Sequence, residues 1–560
     1  MFHFKKNKIM KLKFILITML TAFIIQGCDE QLEIAQDDNI TSETLYGTPA
    51  GALAGLAGAY SRVVAVYREA IINAQYPTNW TDEGHYNRKG ARDIRKNNFT
   101  ASQPVLRDIW GTYYEGISAA NTLIVGLEKS PLETSVKQEF AAEARFLRAF
   151  LYFDVQKAFG GTQGIPMPLE ETNKQLLPRT SGIDVFKQIV ADLEFAEQYL
   201  PNADEAVGGR ASKSAARGLL ARAYLYMASA PFNEAGAYEK ARDWSKMVID
   251  DSFHELNPSY ADIFNELARG NYETKETLFQ IGFSFADLDS NQSSKIGSAF
   301  GIKFDDEECG SGDAFKGKGF GLTYATVSLV LKYRADPGDE RGLWNTLPYF
   351  NRRNDNCQLG IINSQFMIPA SKYRRYLESN TTNTSYGEHH WPVLRLSEMY
   401  LIYAEAVNKI TPGSSDALNA VNSVRNRAKA TPITAISDGA IQEERLLELC
   451  FEGHRKYDLV RWGLLEQKIN ETKTTMETLS ADTNFNNEDW VTMGTFSLGP
   501  NDIPVFGNVP INNSPRRNVM NASFNFYDGY NDFDSNKHYI LPIPEQELGV
   551  NTNLKQTTGW

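Results

Sequence analysis

Three carboxylates, Glu444, Glu448 and Glu452, recur every four residues, and Arg455, Asp458 and Arg461 follow at steps of three. On one helix such side chains share a face, where opposite charges pair and a row of acids could act as general acid and base. We read the row as an ion-paired network that fixes how the helix meets its neighbours, because charge rows on helices are mostly structural. Other constellations fall short of a chemical site. Asp287-Leu-Asp289-Ser-Asn291 begins like a calcium loop, but Gln292 stands where the turn wants glycine and Ser298 where a bidentate glutamate belongs. Gly-Lys-Gly-Phe-Gly at 317–321 lacks the strand before it and the helix after it that cradle a phosphate. His389-His390 has no HExxH companion, and no GxSxG elbow or Walker sequence occurs. Glycoside hydrolysis needs two carboxylates roughly 5 to 9 Å apart, and nothing singles out such a pair among the 69 acidic residues.

Binding is better represented than catalysis. From Gln75 to Thr100 the chain has no helical period and mixes Trp80, Asp82, Glu83, His85 and Tyr86 with amides, the composition of a carbohydrate-contacting loop. A tryptophan in a loop packs more often than it contacts a ligand, so packing is the competing reading. A second aromatic group, Trp344, Tyr349 and Phe350, stands beside Arg352 and Arg353.

The elements around these residues are mostly helices. Met399, Ile402, Tyr403, Ala406 and Ile410 share one helical face, and after Thr411-Pro412-Gly413 the spacing resumes with Ala417, Ala420, Val421, Val424 and Ala428. Small residues on both faces let the axes approach closely, which predicts a tight hairpin of the tetratricopeptide type. A third helix, carrying the charge row, is predicted to run on through Arg461. Upstream, helices are predicted over 48–67, from Trp110 to Ile124, over 136–159, from Ile183 to Leu200, from Ser212 to Ala230 and from Tyr238 to Asp250. Together they make about four helix pairs, split by a Gly-, Asn-, Ser- and aromatic-rich insertion over 257–390 that reads as loops, short strands and few helices.

The chain has 560 residues and a net charge of −12, which argues against nucleic acid as a partner. Five lysines precede an apolar run from Phe14 to Ile25, a targeting leader over 1–27, and no second apolar run of membrane-spanning length is evident. Cys309 and Cys357 lie in loop-like sequence and could pair, whereas Cys450, among Leu446, Leu449 and Phe451, reads as buried filler.

Ile25-Gln26-Gly27-Cys28 resembles a bacterial lipobox, which implies lipidation of Cys28, and Asp29-Glu30 resembles the acidic surface-export signal of Bacteroidetes lipoproteins. RLSEMYLIYAEAVNK, a hairpin containing VNSVRNRA, ERLLELCFEGHRKYDLVRWG and the ending YILPIPEQELGVNTNLKQTTGW strongly resemble the SusD/RagB family of nutrient-binding outer-membrane lipoproteins. The resemblance implies one SusD-like domain over 28–560: an N-terminal helical part (28–256), an irregular, partly β ligand-face insertion (257–390), tetratricopeptide-like helices (391–468) and a loop-rich C-terminal part (469–560). It also implies a lipid-anchored protein of the cell surface, without cofactor or enzymatic activity, that delivers a glycan to a SusC-like TonB-dependent transporter. The ligand contacts it implies are Trp80, Asp82, His85, Tyr86, Trp344, Tyr349 and Arg352. Net acidity points to a neutral glycan. A peptide cargo, as RagB-like members handle, and a surface glycosidase are the alternatives.

Overall fold

A computed structural model of the protein describes residues 45–70, 80–86, 94–170, 176–284, 293–302, 319–347, 349–351, 359–361, 368–378, 386–481, 495–498, 504–507 and 528–560. The leader, Cys28, the calcium-like segment from Asp287 to Gln292, Cys309, Cys357 and Arg352 lie outside the described residues.

Six helices open the fold: α1 (Pro49–Ala70), α2 (Pro104–Lys129), α3 (Thr134–Val155), α4 (Gly182–Tyr199), α5 (Lys213–Ala228) and α6 (Ala237–Ile249). Each packs on the next. Serine caps start two of them, Ser181 accepting from the Asp184 amide and Ser212 from that of Ala215. The seventh helix in the stack comes from far along the chain: α6 packs on Leu396–Ile410, which packs on Ser415–Arg427. The predicted pairs therefore form one continuous superhelix of four, with the insertion looped out between the third and the fourth. Alanine makes the close approach possible, with Ala215, Ala216, Ala221 and Ala223 of α5 all buried. Glycine serves the same end at two points: a Cβ on Gly116 of α2 would stand 2.8 Å from Leu151 of α3, and one on Gly218 3.1 Å from Leu278 and 3.4 Å from Met399.

Buried polar bridges set the stagger of the stack. Arg148 of α3 holds Asp192 of α4 through two bonds of 2.7 and 2.8 Å and Asn121 of α2 at 2.8 Å. Arg222 of α5 grips Glu398 and donates to the Val393 carbonyl at 2.6 Å, which sews the two halves of the superhelix together. Burial would raise the Glu398 carboxyl, yet Arg222, with His454 and Arg445, holds it down to about 2.

The insertion contains α7 (Tyr260–Ala268), α8 (Ile296–Phe300), α9 (Val327–Ala335) and α10 (Glu340–Asn345). Its strand β3 (Thr323–Ala325) pairs with β1 (Gly84–Tyr86) from the N-terminal part, and its strands β4 (Tyr349–Asn351) and β5 (Leu359–Ile361) pair with each other. At its base β2 (Thr277–Ile281) pairs antiparallel with β6 (Trp391–Arg395), so the chain leaves and re-enters the superhelix at one neck. After β6 come α11 (Leu396–Ile410), α12 (Ser415–Arg427), α13 (Asp438–Leu449), α14 (Arg455–Arg461) and α15 (Leu465–Ala481).

Two expectations need correction. The charge row does not lie on one helix: α13 stops at Leu449, Phe451 and Gly453 take φ of 63° and 83°, and α14 starts afresh at Arg455. The break turns Glu452 back into the interior. Nor is a further apolar run of spanning length lacking, because Pro49–Arg68 of α1 is long and apolar enough by length and composition. That helix buries Ala52, Leu56, Ala59, Val63 and Val66 against α2 and α3, with about a third of the stretch buried.

At the neck the charge row proves to be buried rather than exposed. Arg395, closing β6, bonds Glu276 at 2.7 Å, Glu448 at 2.9 Å and Glu452 at 2.7 Å. Arg427 of α12 joins the same Glu276 and Glu448, Arg341 of α10 bonds Glu444 at 2.6 Å and Glu448 at 3.0 Å, and Lys372 bonds Glu452 at 2.7 Å. Breaking one member of such a cluster strands the rest without water. We predict that Arg395→Met lowers unfolding free energy by about 3–5 kcal/mol, whereas Arg62→Ala, at the exposed pair with Glu115, costs less than about 1 kcal/mol. Urea denaturation of both variants measures the contrast, and equal small losses would show that the cluster does not hold the neck.

Candidate functional site

Residues 80–86 form a strap that ties the N-terminal half to the insertion and to α14. Asp82 accepts two hydrogen bonds from Arg455 of α14, at 2.8 and 2.6 Å, and its backbone carbonyl accepts from the Thr326 hydroxyl at 2.6 Å. Glu83 accepts from the Phe451 amide at 2.6 Å, and the Thr81 carbonyl accepts from the Tyr530 hydroxyl at 2.9 Å. Both Trp80 and Phe451 have positive φ, 78° and 63°. Non-glycine residues hold that conformation only where their surroundings impose it. Here the Trp80 amide donates to the Gly84 carbonyl at 2.6 Å, and the Tyr373 hydroxyl pins the Phe451 carbonyl at 3.1 Å.

Of the rings expected to line a sugar site, Trp80, His85, Tyr86 and Trp344 are interior. Trp80 is 1% exposed; Tyr530 meets it edge-on at 4.9 Å, its indole N–H donates to the Arg95 carbonyl, and Gly529 lies against its face so closely that a Cβ would collide. His85 lies between Trp80 and Tyr324, with ring centroids 5.9 and 5.7 Å away, and the Arg95 guanidinium covers Tyr86 at 4.3 Å. Trp344 is 4% exposed, with Arg374 stacked over its ring at 3.5 Å and its N–H donating to the Lys372 carbonyl at 3.2 Å. A sugar needs an open ring face, and neither tryptophan has one. The structure thus gives both the packing role that was the competing reading. Trp80, Asp82, His85 and Tyr86 are brought together, but Trp344 belongs to a different apolar cluster. Tyr349 opens strand β4, opposite Ile361.

His389 and His390 are buried, and burial pushes their pKa values down to about 3 and about 4, so both are neutral near pH 7. Among the described residues no group of three or more His, Cys, Asp or Glu side chains could hold a metal ion. The Cys450 thiol is buried as expected, and burial drives its pKa up to about 12. Arg395, Glu276, Arg341 and Lys372, the partners of the charge row, escaped the sequence reading. The three cations reach Glu444, Glu448 and Glu452 from 53 to 107 positions away, Glu276 joins only through Arg395 and Arg427, and pairing at that range leaves no local signal.

Comparison with known proteins accounts for the architecture. A model described as the SusD family matches residues 343–560, and one described as starch-binding, associating with outer membrane, matches residues 33–225. A SusD-like protein of Formosa agariphila is 25% identical, across 97% of this chain and 98% of its own. The starch-binding protein SusD of Bacteroides thetaiotaomicron is 23% identical, across 58% of this chain and 64% of its own. Among solved structures, a SusD homolog from Bacteroides thetaiotaomicron shares the fold with a TM-score of 0.76 at 20% identity, covering 93% of this chain and 99% of that one. A laminarin-binding SusD-like protein does so with a TM-score of 0.64 at 20% identity, covering 91% and 99%. Neither family model extends over residues 226–342, which take in the first part of the insertion.

Trp80→Ala and Trp344→Ala should each cost about 3–5 kcal/mol of stability, read as a fall in denaturant midpoint. Unchanged midpoints would return both residues to the surface. A second expectation concerns Glu83, whose carboxyl burial raises to about 8. A folded pKa above the unfolded one confers stability present below about pH 4.5 and lost as pH climbs through about 8. Glu83→Gln, which keeps the acceptor for Phe451, should match wild type near pH 5 and exceed it near pH 8. A constant difference across a pH series of urea melts would refute this.

Proposed function

The chain belongs to the SusD family, and from that premise we propose that it captures an oligosaccharide at the outer-membrane surface and passes it to a SusC-like TonB-dependent β-barrel. The observation that carries this reading is the family match at both ends of the chain, one part of it to a model described as starch-binding and associating with outer membrane. The relatives named for starch and laminarin point to the same ligand class. Lipidation at Cys28 would anchor the protein, and a lipid-anchored binder has no pore of its own, so transfer across the membrane requires a partner that supplies one.

The strap would serve this function as a mount. By tying residues 80–86 to α14 and β3, it fixes where the chain on either side of it emerges, and a ligand face built on a rigid mount loses less entropy on binding. The contacts would then come from residues beside the strap and from the insertion, where Tyr349 and Arg352 remain our assignments, with the network of Glu444, Glu448 and Glu452 acting as scaffold. A neutral glycan suits the net charge of −12.

Calorimetry of the purified protein against neutral glycans, acidic glycans and peptides, with product analysis of each mixture, tests the reading. We expect heat with a neutral glycan and no cleavage. Heat with peptides alone would move the cargo to that class, and turnover would make the protein a hydrolase. Affinity purification from mild-detergent extracts should bring down a large β-barrel with it.

A further inference from the structure

One cation of the interior stands alone. Among the described residues every other buried lysine and arginine has a partner, as Lys372 has Glu452 and Arg455 has Asp82. Lys456, the second residue of α14, is 6% exposed, and its side chain makes neither a hydrogen bond nor an ion pair. Its nitrogen is partnerless without being fully enclosed, so a narrow way in from solvent remains. An ammonium taken out of water with nothing beside it is costly, and such a group gives up its charge instead. Burial alone pushes this amine down to about 8, so that about a quarter of it is uncharged at pH 7.5, against about a thousandth of an ordinary lysine. An uncharged, desolvated lysine amine is a nucleophile.

The nearest ring adds to the shortage of acceptors. His538, 5% exposed, is pushed down to about 4, first by burial and next by the charge of Lys456, which acts on it more strongly than Asp534 or Lys537 does. Two buried bases therefore face each other's charge. His538 Nδ1 accepts from the Asp534 amide at 2.8 Å, which places the ring proton on Nε2, and Nε2 makes no hydrogen bond. The Asp534 carboxylate is taken up by the Asn536 amide at 2.9 Å and its side chain at 3.1 Å. Phe99, Phe533 and Trp560 lie around the imidazole, with ring centroids 5.6, 5.9 and 5.3 Å away, and none of these rings carries an acceptor oxygen. Two nitrogen donors are thus held close enough to repel, with nothing to receive their protons.

A modification that replaced the ammonium by oxygens would relieve both. At 6% exposure the amine is closed to bulky reagents, which leaves a small neutral electrophile whose adduct is an acceptor. Carbon dioxide has that chemistry.

We propose that Lys456 takes up carbon dioxide reversibly as a carbamate. The Nζ lone pair forms the N–C bond, one C–O π pair moves onto oxygen and a proton leaves the nitrogen for water, so that Lys–NH2 and CO2 give Lys–NH–COO− and H+. The new oxygens are acceptors for His538 Nε2–H, and repulsion between two bases becomes attraction between an anion and a donor. The site rests on α14 and its histidine neighbour and does not depend on glycan delivery. The test equilibrates the full chain at pH 7.5 with carbon-13 bicarbonate, traps carbamates with triethyloxonium ion and locates them by peptide mass spectrometry. Lys240, exposed on α6, is the internal reference, and Lys456→Arg keeps the charge without the reactive amine. We expect trapped label at Lys456 at least about tenfold above that at Lys240, following the larger uncharged fraction, and its loss in Lys456→Arg. No label at Lys456, label no greater than at Lys240, or label that persists on the same peptide of the variant overturns the proposal. The wild-type peptides decide the question even if the variant does not fold.

Discussion

The interaction on which the structure depends is the buried exchange of charge between Arg395, at the end of β6, and Glu276, Glu448 and Glu452. Taking such groups out of water costs several kcal/mol per ion, and only close, multiply bonded partners recover it. Those partners exist in one arrangement: β2 alongside β6, α12 reaching in with Arg427, α10 with Arg341, and α13 ending where Glu452 can turn inward. Apolar packing tolerates small slides, but a bidentate guanidinium does not. The cluster therefore acts as a register lock between the superhelix and its insertion.

From that lock the effect passes outward along the chain. The reversal after α13 that sends Glu452 to Arg395 and Lys372 also puts Phe451 at positive φ, and its amide then meets Glu83. Arg455, the first residue of α14, completes the hold through Asp82. One loop thus connects the neck to the strap, so the placement of the N-terminal aromatic segment depends on charges buried at the foot of the insertion.

Two of the interior carboxyls are held in opposite states. Burial sends Glu83 up to about 8, while burial at Glu398 is overcome by Arg222, which keeps it near 2. The difference is the number and nearness of cations. Charge is kept where two segments must be locked and given up where one carboxyl oxygen needs only to accept an amide.

The sequence by itself determined the family, the helical class, the four pairs and most of their boundaries. These follow from local or regularly spaced features: a 3.6-residue apolar period, alanine at close-packed positions, serine caps, and long motifs that carry the resemblance. It also favoured a structural reading of the charge row, although the opposite charges at helical spacing are not the partners that Glu444, Glu448 and Glu452 take. Tertiary structure alone decided that the row is buried, that it breaks at Phe451, and that its main partners are Arg395 of β6, Arg341 of α10, Arg427 of α12 and Lys372. It alone decided that Trp80 and Trp344 point inward, since a tryptophan's composition is the same whether Gly529 or Arg374 covers its face or solvent does.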